Sequence, residues 1–170
     1  MIDPAATIGG RLTGIARRPR RRAPMEELAS GEVSVDGGLA GDHKGLKFPR
    51  RRITVLAIED WEAALSDLPD RGGSVSLSWT ARRANLLVAG LRLPRAAGAR
   101  IRVGAVLIEV TCPTQPCSRM NEVHPGLLAA LHPDWRGGVT CAVLEGGRIA
   151  IGDSVAVVLA PPERRVRLPG

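Results

Sequence analysis

The chain has no tyrosine and few aromatic side chains of any kind, which limits the ligands it can bind by stacking. Phenylalanine and tryptophan together make up 2% of the residues. Proteins that bind single-stranded nucleic acids gain about 1–3 kcal/mol for each base stacked on an aromatic ring. The sequence therefore disfavours a nucleic-acid-binding function, although its charge alone would allow weak, salt-sensitive binding.

The sequence also lacks the segments that direct a chain to a membrane or to secretion. No apolar run approaches the roughly 18 residues of a membrane span. The first residues, Met1-Ile2-Asp3-Pro4, do not have the basic-then-apolar order of a signal peptide. Cysteine is scarce as well: three residues are an odd number, and their spacing is not that of a disulfide framework. We expect reduced thiols and a cytoplasmic location.

Lysine is almost absent from the basic residues. Lys44 and Lys47 are the only lysines among 24 basic side chains, and the formal net charge is +7. A GC-rich genome would produce the same arginine bias. Whatever its origin, the guanidinium group keeps its charge and forms two parallel hydrogen bonds to phosphate or carboxylate. The composition therefore favours an anionic partner without identifying it.

Short β-rich segments separated by glycines dominate the sequence. A length of 170 residues suits one domain, which we assign to residues 1–170. Many short strands with glycine punctuation are typical of a barrel or a sandwich, so the predicted fold class is mainly β with a few short helices. The predicted strands are Arg11–Ala16, Ile53–Ile58, Ala84–Ala89, Ile101–Val103, Val106–Thr111, Val139–Leu144 and Ser154–Leu159.

Two short helices are predicted between these strands. Trp61, Ala64, Leu65 and Leu68 follow helical spacing, and Pro69 should end that helix. A second helix is predicted to begin near Pro125, which suits a first-turn position, and to stop before Pro133.

The segment from Cys112 to Met120 is the best candidate for a reactive site. Pro113 and Pro116 restrict the backbone, so we expect a stiff loop that ends at Cys117. Arg119 follows two residues later, and a nearby cation favours the reactive thiolate form of a cysteine. Two alternatives remain open: Cys117 as a buried, unreactive thiol, and a zinc site shared with Cys112, for which the spacing fits no strong pattern. Cys141, within an apolar strand, should belong to the core.

Several motifs occur in an order that resembles the MOSC domain, the C-terminal domain of molybdenum cofactor sulfurases, which also occurs as free-standing bacterial proteins. The resemblance covers roughly residues 10–159 and leaves a tail of residues 160–170. The motifs are Gly41-Asp42; Arg52-Ile53-Thr54-Val55-Leu56 with Glu59; Arg83-x-Asn85-Leu86-Leu87 with Gly90; Pro116-Cys117-Ser118-Arg119-Met120; Gly137-Gly138; and Gly146-Gly147-x-Ile149-x-x-Gly152-Asp153.

The resemblance implies a β-barrel and a function for Cys117, which would carry sulfur or ligate the molybdenum of the pterin cofactor. Arg83 and Asn85 would contact the phosphate and the polar edge of that anionic pterin. These assignments suit a fork-shaped cation, an amide and a soft thiolate. The remaining candidate residues of the cofactor site are Asp42, Arg52, Thr54, Ser118 and Arg119.

The sequence departs from the family in one region. Free-standing relatives that reduce N-hydroxylated bases carry His-Gly-Gly after Gly-Asp, whereas this chain has His43-Lys44-Gly45. We therefore expect either a molybdenum-dependent reductase with a separate electron donor, or a sulfur carrier that a donor protein must load. The purified protein need not retain the cofactor. The alternative is a basic nucleic-acid or other anion-binding module without catalytic activity.

Overall fold

A computed structural model describes residues 9–68, 77–115 and 117–163. Strands are the commonest regular element among these residues, as the β-rich segments of the sequence predicted. The strands are β1 (Gly10–Arg17), β2 (Glu26–Leu28), β3 (Ser30–Ser34), β4 (Gly38–Leu39), β5 (Ile53–Ala57), β6 (Leu86–Ala89), β7 (Arg100–Val103), β8 (Val106–Pro113), β9 (Val139–Glu145), β10 (Gly147–Ala150) and β11 (Ser154–Leu159).

Seven of the strands form a closed barrel. Their order is β11-β7-β8-β9-β5-β6-β1, and β1 pairs with β11 to close the ring while β2 adds to the outer edge of β1. All pairs in the ring are antiparallel except β5 and β6, which are parallel. Strands β10, β3 and β4 form a separate three-stranded sheet. The mainly β barrel predicted from the sequence is confirmed.

In the described part of the chain, four short helices accompany the sheets. Three 3₁₀ turns, at Pro49–Arg51, Trp79–Arg82 and Pro133–Trp135, add further helical backbone. The α-helices are α1 (His43–Lys47), α2 (Ile58–Ser66), α3 (Arg119–Val123) and α4 (Leu127–Leu131).

The core consists of two apolar clusters that share strand β5. Ile53, Val55 and Ala57 point into the barrel, where aliphatic side chains from the other strands fill the interior. Leu56 points outward and packs against Trp61 of α2 and the apolar side chains of α4. Because successive residues of a strand face opposite sides, burial on both sides explains why all five residues of β5 are apolar or small. Thr54 shares the outward side with Leu56.

The predicted strands agree with the observed ones to within one or two residues at each end. The sequence patterns did not predict β2, β3 and β4, which are too short for a long apolar alternation. They did not predict the five-residue helices α1 and α3 either. The second predicted helix is α4, which begins after Pro125 rather than at it, with Gly126 at a φ of 87° before the first helical residue. Pro69, expected to end α2, lies outside the described residues. In the described part of the chain, no helix has the length and apolar character to cross a membrane.

Candidate functional site

A cavity of about 330 Å³ opens on the outer side of the barrel, where Thr54 of β5 faces away from the interior. It is bounded by the start of α1, the two turns before β5 and β6, and the loop that follows β8. The lining residues include Cys117 together with Arg18, Lys44, Arg51, Arg82, Arg83 and Arg119. The loop with the candidate cysteine and the Arg-x-Asn motif therefore meet at one site, although they are more than thirty residues apart in sequence.

The six cations of this cavity outnumber the carboxylates that line it among the described residues. Among residues 9–68, 77–115 and 117–163, none of the six forms an ion pair. Asp42 is the only carboxylate in the lining, and its two oxygens accept hydrogen bonds from the main-chain N–H groups of Arg18 and Gly45, at 3.0 and 3.1 Å. Concentrated positive charge of this kind attracts an anion.

Arg82 is the most deeply buried of these cations, with 6% of its surface exposed. Its Nε donates to the carbonyl oxygen of Gly137 at 3.1 Å, while Nη2 is buried without a hydrogen-bond partner. A Cβ atom on Gly137 would lie 3.3 Å from that Nη2, so the glycine gives the guanidinium its space. Burial lowers the pKa of Arg82 to about 10, and the charge of Cys117 partly offsets this effect. Arg82 is thus electrostatically coupled to the cysteine.

Asn85 lines the cavity, and its side-chain amide also forms hydrogen bonds to two strands of the barrel. Its Oδ1 accepts from the Thr54 N–H at 3.0 Å, and its Nδ2 donates to the Ala16 carbonyl at 3.2 Å. Its own main-chain groups bond to the same two residues, as donor to the Thr54 carbonyl and acceptor from the Ala16 N–H. One side-chain N–H and one oxygen lone pair remain for a ligand.

Asp42 and Arg52 both act on helix α1. The Asp42 carboxylate caps the N-terminus of α1 through the Gly45 N–H. Nη1 of Arg52 donates to the carbonyls of Gly45 and Leu46, at 2.6 and 3.0 Å. Asp42 and Thr54 line the cavity, but Arg52 does not. Arg52 therefore holds the helix that carries Lys44, and the cofactor contact expected from the family motif stays a prediction.

The three cysteines occupy three different environments. Cys117 is exposed and lines the cavity, which removes the alternative of a buried, inert thiol. Cys112 lines a different cavity, beside Trp135, and its Sγ lies 3.0 Å from Thr140 Oγ1. Cys141 is fully buried in the barrel, where burial raises the pKa of its thiol, in agreement with its expected place in the core. Within the described ranges, no cluster of three His, Cys, Asp or Glu side chains could hold a metal.

The two residues after Cys117 differ in their relation to the site. Ser118 is the N-terminal capping residue of α3 and is exposed, but it does not line the cavity. Arg119 does line it. Its charge lies close enough to Arg18 to contribute, after burial and Arg83, to lowering the pKa of Arg18.

Arg83 has a left-handed backbone, with φ at 64°. This conformation costs a residue with a Cβ roughly 1–2 kcal/mol. The strained residue belongs to the Arg-x-Asn motif, and in this conformation its side chain lines the cavity, as Asn85 does. Unfavourable backbone conformations of this kind concentrate at ligand sites.

Three cations of the cavity, Arg18, Lys44 and Arg82, were not singled out from the sequence. Arg18 directly follows strand β1, and Arg82 directly precedes the family motif. Arg51 belongs to an arginine triplet that could feed an anion site, but only Arg52 of that triplet matched the motif. Lys44 lies where the chain departs from the family. Lys44, Arg51 and Arg82 lie within two residues of motif residues, and this proximity could have drawn attention to them. Whether a given side chain faces the cavity depends on the backbone conformation.

Comparison with known proteins shows which family the chain belongs to. A family model described as the MOSC domain matches residues 42–156, which span the segment from Asp42 past Cys117. The chain belongs to the MOSC domain family. A search of the curated proteins found no match.

Solved structures support the MOSC fold. The YuaD protein from Bacillus subtilis superposes with a TM-score of 0.67 at 17% identity, over 86% of this chain and 94% of that one. YiiM from Escherichia coli gives a TM-score of 0.64 at 19% identity, over 92% and 71%. YiiM from Geobacillus stearothermophilus gives 0.59 at 20%, over 89% and 74%. At sequence identities this low, the similarity to these structures shows a shared fold only.

Proposed function

We propose that this MOSC domain binds the molybdenum cofactor in the cationic cavity and uses Cys117 either as a ligand to the metal or as a sulfur carrier. The observation that supports the proposal is the convergence of six cations, none in an ion pair with a described residue, around one exposed thiol. The setting would be the reducing cytoplasm, where free thiols persist.

The residues present fit a phosphate-bearing pterin. Arg82 Nη2 and Thr114 Oγ1 are buried without hydrogen-bond partners, and both residues line the cavity. A buried donor without a partner is costly, so an anion with several acceptor oxygens would remove a penalty that the free site carries. Asn85 retains one donor and one acceptor for the polar edge of a ring.

The chain's own residues would divide the work of binding. Arg18, Arg83 and Arg119 would hold the phosphate, since guanidinium groups match phosphate geometry. Cys117 would supply one soft sulfur ligand. Arg82 lies close enough to stabilise negative charge on that sulfur. When bound, the cofactor supplies a metal that can exchange electrons with a substrate, and a separate protein would provide them.

In the carrier version of this function, Cys117 receives a sulfur atom from a donor protein. The Cys117 thiolate attacks the outer sulfur of a persulfide on the donor, the sulfur–sulfur bond of the donor breaks, and the donor's own thiolate leaves. The exposed position of Cys117 makes such an approach feasible.

Purification from cells able to make the cofactor would test the proposal and separate its two versions. Stoichiometric molybdenum that is lost in Cys117→Ser supports the metal-ligand version. A metal-free protein whose mass carries one extra sulfur, again lost in Cys117→Ser, supports the carrier. Cys112→Ser is the matched control, because Cys112 lines the other cavity and should leave both signals unchanged. Molybdenum and sulfur both absent from the wild type, even after the purified protein has been incubated with isolated cofactor and with a persulfide donor, would contradict the proposal.

A further inference from the structure

Five of the six cations in the cavity are arginines, and the sixth is Lys44. Lysine has a lower ordinary pKa than arginine, and in this cavity the pKa of Lys44 is lowered from 10.5. Of the six cations, Lys44 and the buried Arg82, whose pKa is about 10, are therefore the ones whose charge can be lost at alkaline pH. The only other lysine of the chain, Lys47, ends the same helix and does not line the cavity.

The backbone of α1 holds Lys44 at the cavity from two directions. Asp42 fixes the first turn by accepting the Gly45 N–H, and Arg52 holds the carbonyls of Gly45 and Leu46. A helix of only five residues would not be stable alone, so these contacts keep it formed. The residues that hold α1, Asp42 and Arg52, thus act as positioning residues for Lys44.

The surroundings of Lys44 disfavour its positive charge. Burial lowers the pKa of the Lys44 ammonium, and the charges of Arg82, Arg51 and Arg18 lower it further, with Asp42 opposing them. An anion bound among these groups would reverse the balance, because its negative charge favours the protonated lysine. Protonation of Lys44 and anion binding should therefore be coupled.

We propose that Lys44 is a ligand-binding residue of this cavity and makes its affinity for anions depend on pH. This inference rests on the anion-binding role proposed above. Protonated Lys44 binds the ligand, so affinity is highest below the pKa of Lys44 in the free protein and declines as the pH rises through that value. Among the described residues, the titratable and charged groups that face Lys44 or share its cavity are Arg18, Asp42, Arg51, Arg82, Arg83, Cys117 and Arg119.

Calorimetric titration with inorganic sulfate tests the inference, because sulfate keeps both charges over the range used. Between about pH 6.5 and about pH 9, where Arg82 with its pKa of about 10 stays largely protonated, we expect affinity to fall in the wild type by up to about five-fold. That limit is the full effect of losing one of two unit charges about 4 Å apart in a water-like medium. Lys44→Arg should bind at both pH values without the decline. Lys47→Arg should behave as the wild type, and Cys117→Ser should keep the decline.

Each result has a separate meaning. Sulfate binding at low pH with no decline, or a decline that persists in Lys44→Arg, would overturn the role of Lys44 while leaving the anion site intact. A decline lost only in Cys117→Ser would assign the titration to the thiol and also overturn the inference. No binding by the wild type at the lower pH would overturn the anion site and the role of Lys44 together.

A chemical label gives a second readout that does not depend on affinity. Pyridoxal phosphate, an anionic aldehyde, condenses with a neutral amine to an imine and water; borohydride then adds hydride to the imine carbon, and water supplies the proton to nitrogen. Peptide mapping should show preferential labelling of Lys44 over Lys47, with excess sulfate protecting Lys44 only. Equal labelling of both lysines without protection would count against the inference.

Discussion

Asn85 illustrates how one residue can serve both the barrel and the cavity. Its four hydrogen bonds reach the N–H and carbonyl groups of Thr54 and of Ala16, on two strands that flank β6. Asn85 lies just before the first residue of β6, and its side chain extends the hydrogen bonding between the sheet strands by one residue. The functional role implied by the motif and the structural role seen here are compatible, since the amide has two further bonding positions.

Replacement of Asn85 by alanine should destabilise the protein. The Thr54 N–H and the Ala16 carbonyl would lose their partners in a buried setting, at a cost of about 1–3 kcal/mol each. Chemical denaturation should report a loss of about 2–5 kcal/mol in the free energy of unfolding. Arg83→Ala is the matched control: its side chain has no hydrogen bond to a described residue, so stability should change by less than about 1 kcal/mol. Equal losses in both variants would contradict this account.

At the scale of elements, the turn before β9 contacts both strand β5 and the buried Arg82 of the cavity. Gly138 has a φ of 93°, and a Cβ there would lie 2.2 Å from the carbonyl oxygen of Val55. Its neighbour Gly137 accepts the hydrogen bond from Arg82. The glycine pair therefore allows β9 to approach β5 closely and leaves room for the buried guanidinium.

Substitution at two glycines should separate backbone strain from steric overlap. Gly152 has a similar φ of 96° but no atom within 4 Å of a Cβ built there. Gly152→Ala should cost about 1–2 kcal/mol, the cost of a left-handed alanine. Gly138→Ala should cost about 1–3 kcal/mol more, because the Val55 carbonyl must move. Thermal or chemical unfolding measures both. An equal cost would mean that β5 and β9 separate without strain.

At the scale of the whole molecule, the net charge of +7 should produce binding to any polyanion. If that binding is only electrostatic, it should weaken steeply as salt rises from about 50 to about 200 mM. A filter-binding series with a short DNA duplex should give the same salt dependence for the wild type and for Cys117→Ala. Tight, sequence-selective binding at physiological salt would instead support the nucleic-acid alternative.

The sequence was sufficient to predict the barrel strands and to single out Cys117, which the structure places in the lining of the cationic cavity. The alternation and glycine punctuation of segments such as Val106–Thr111 are local properties, and a strand's preference is largely written in its own residues. The ordered motifs likewise indicated the MOSC family, which the family match confirmed. Strands β2, β3 and β4 could not be predicted in this way, because their pairing partners, rather than their own pattern, stabilise them.

Which cations line the cavity was decided only by the tertiary structure. In the pairs Arg82–Arg83 and Arg51–Arg52 the sequence offers two equal candidates, and the backbone determines where each side chain points. Arg83 has a left-handed backbone and lines the cavity, and Arg82 lines it as the buried last residue of a 3₁₀ turn. Arg52 instead donates hydrogen bonds to α1. Sequence fixes the chemistry of each side chain locally, whereas a site assembled from segments far apart in the chain exists only once the barrel has closed.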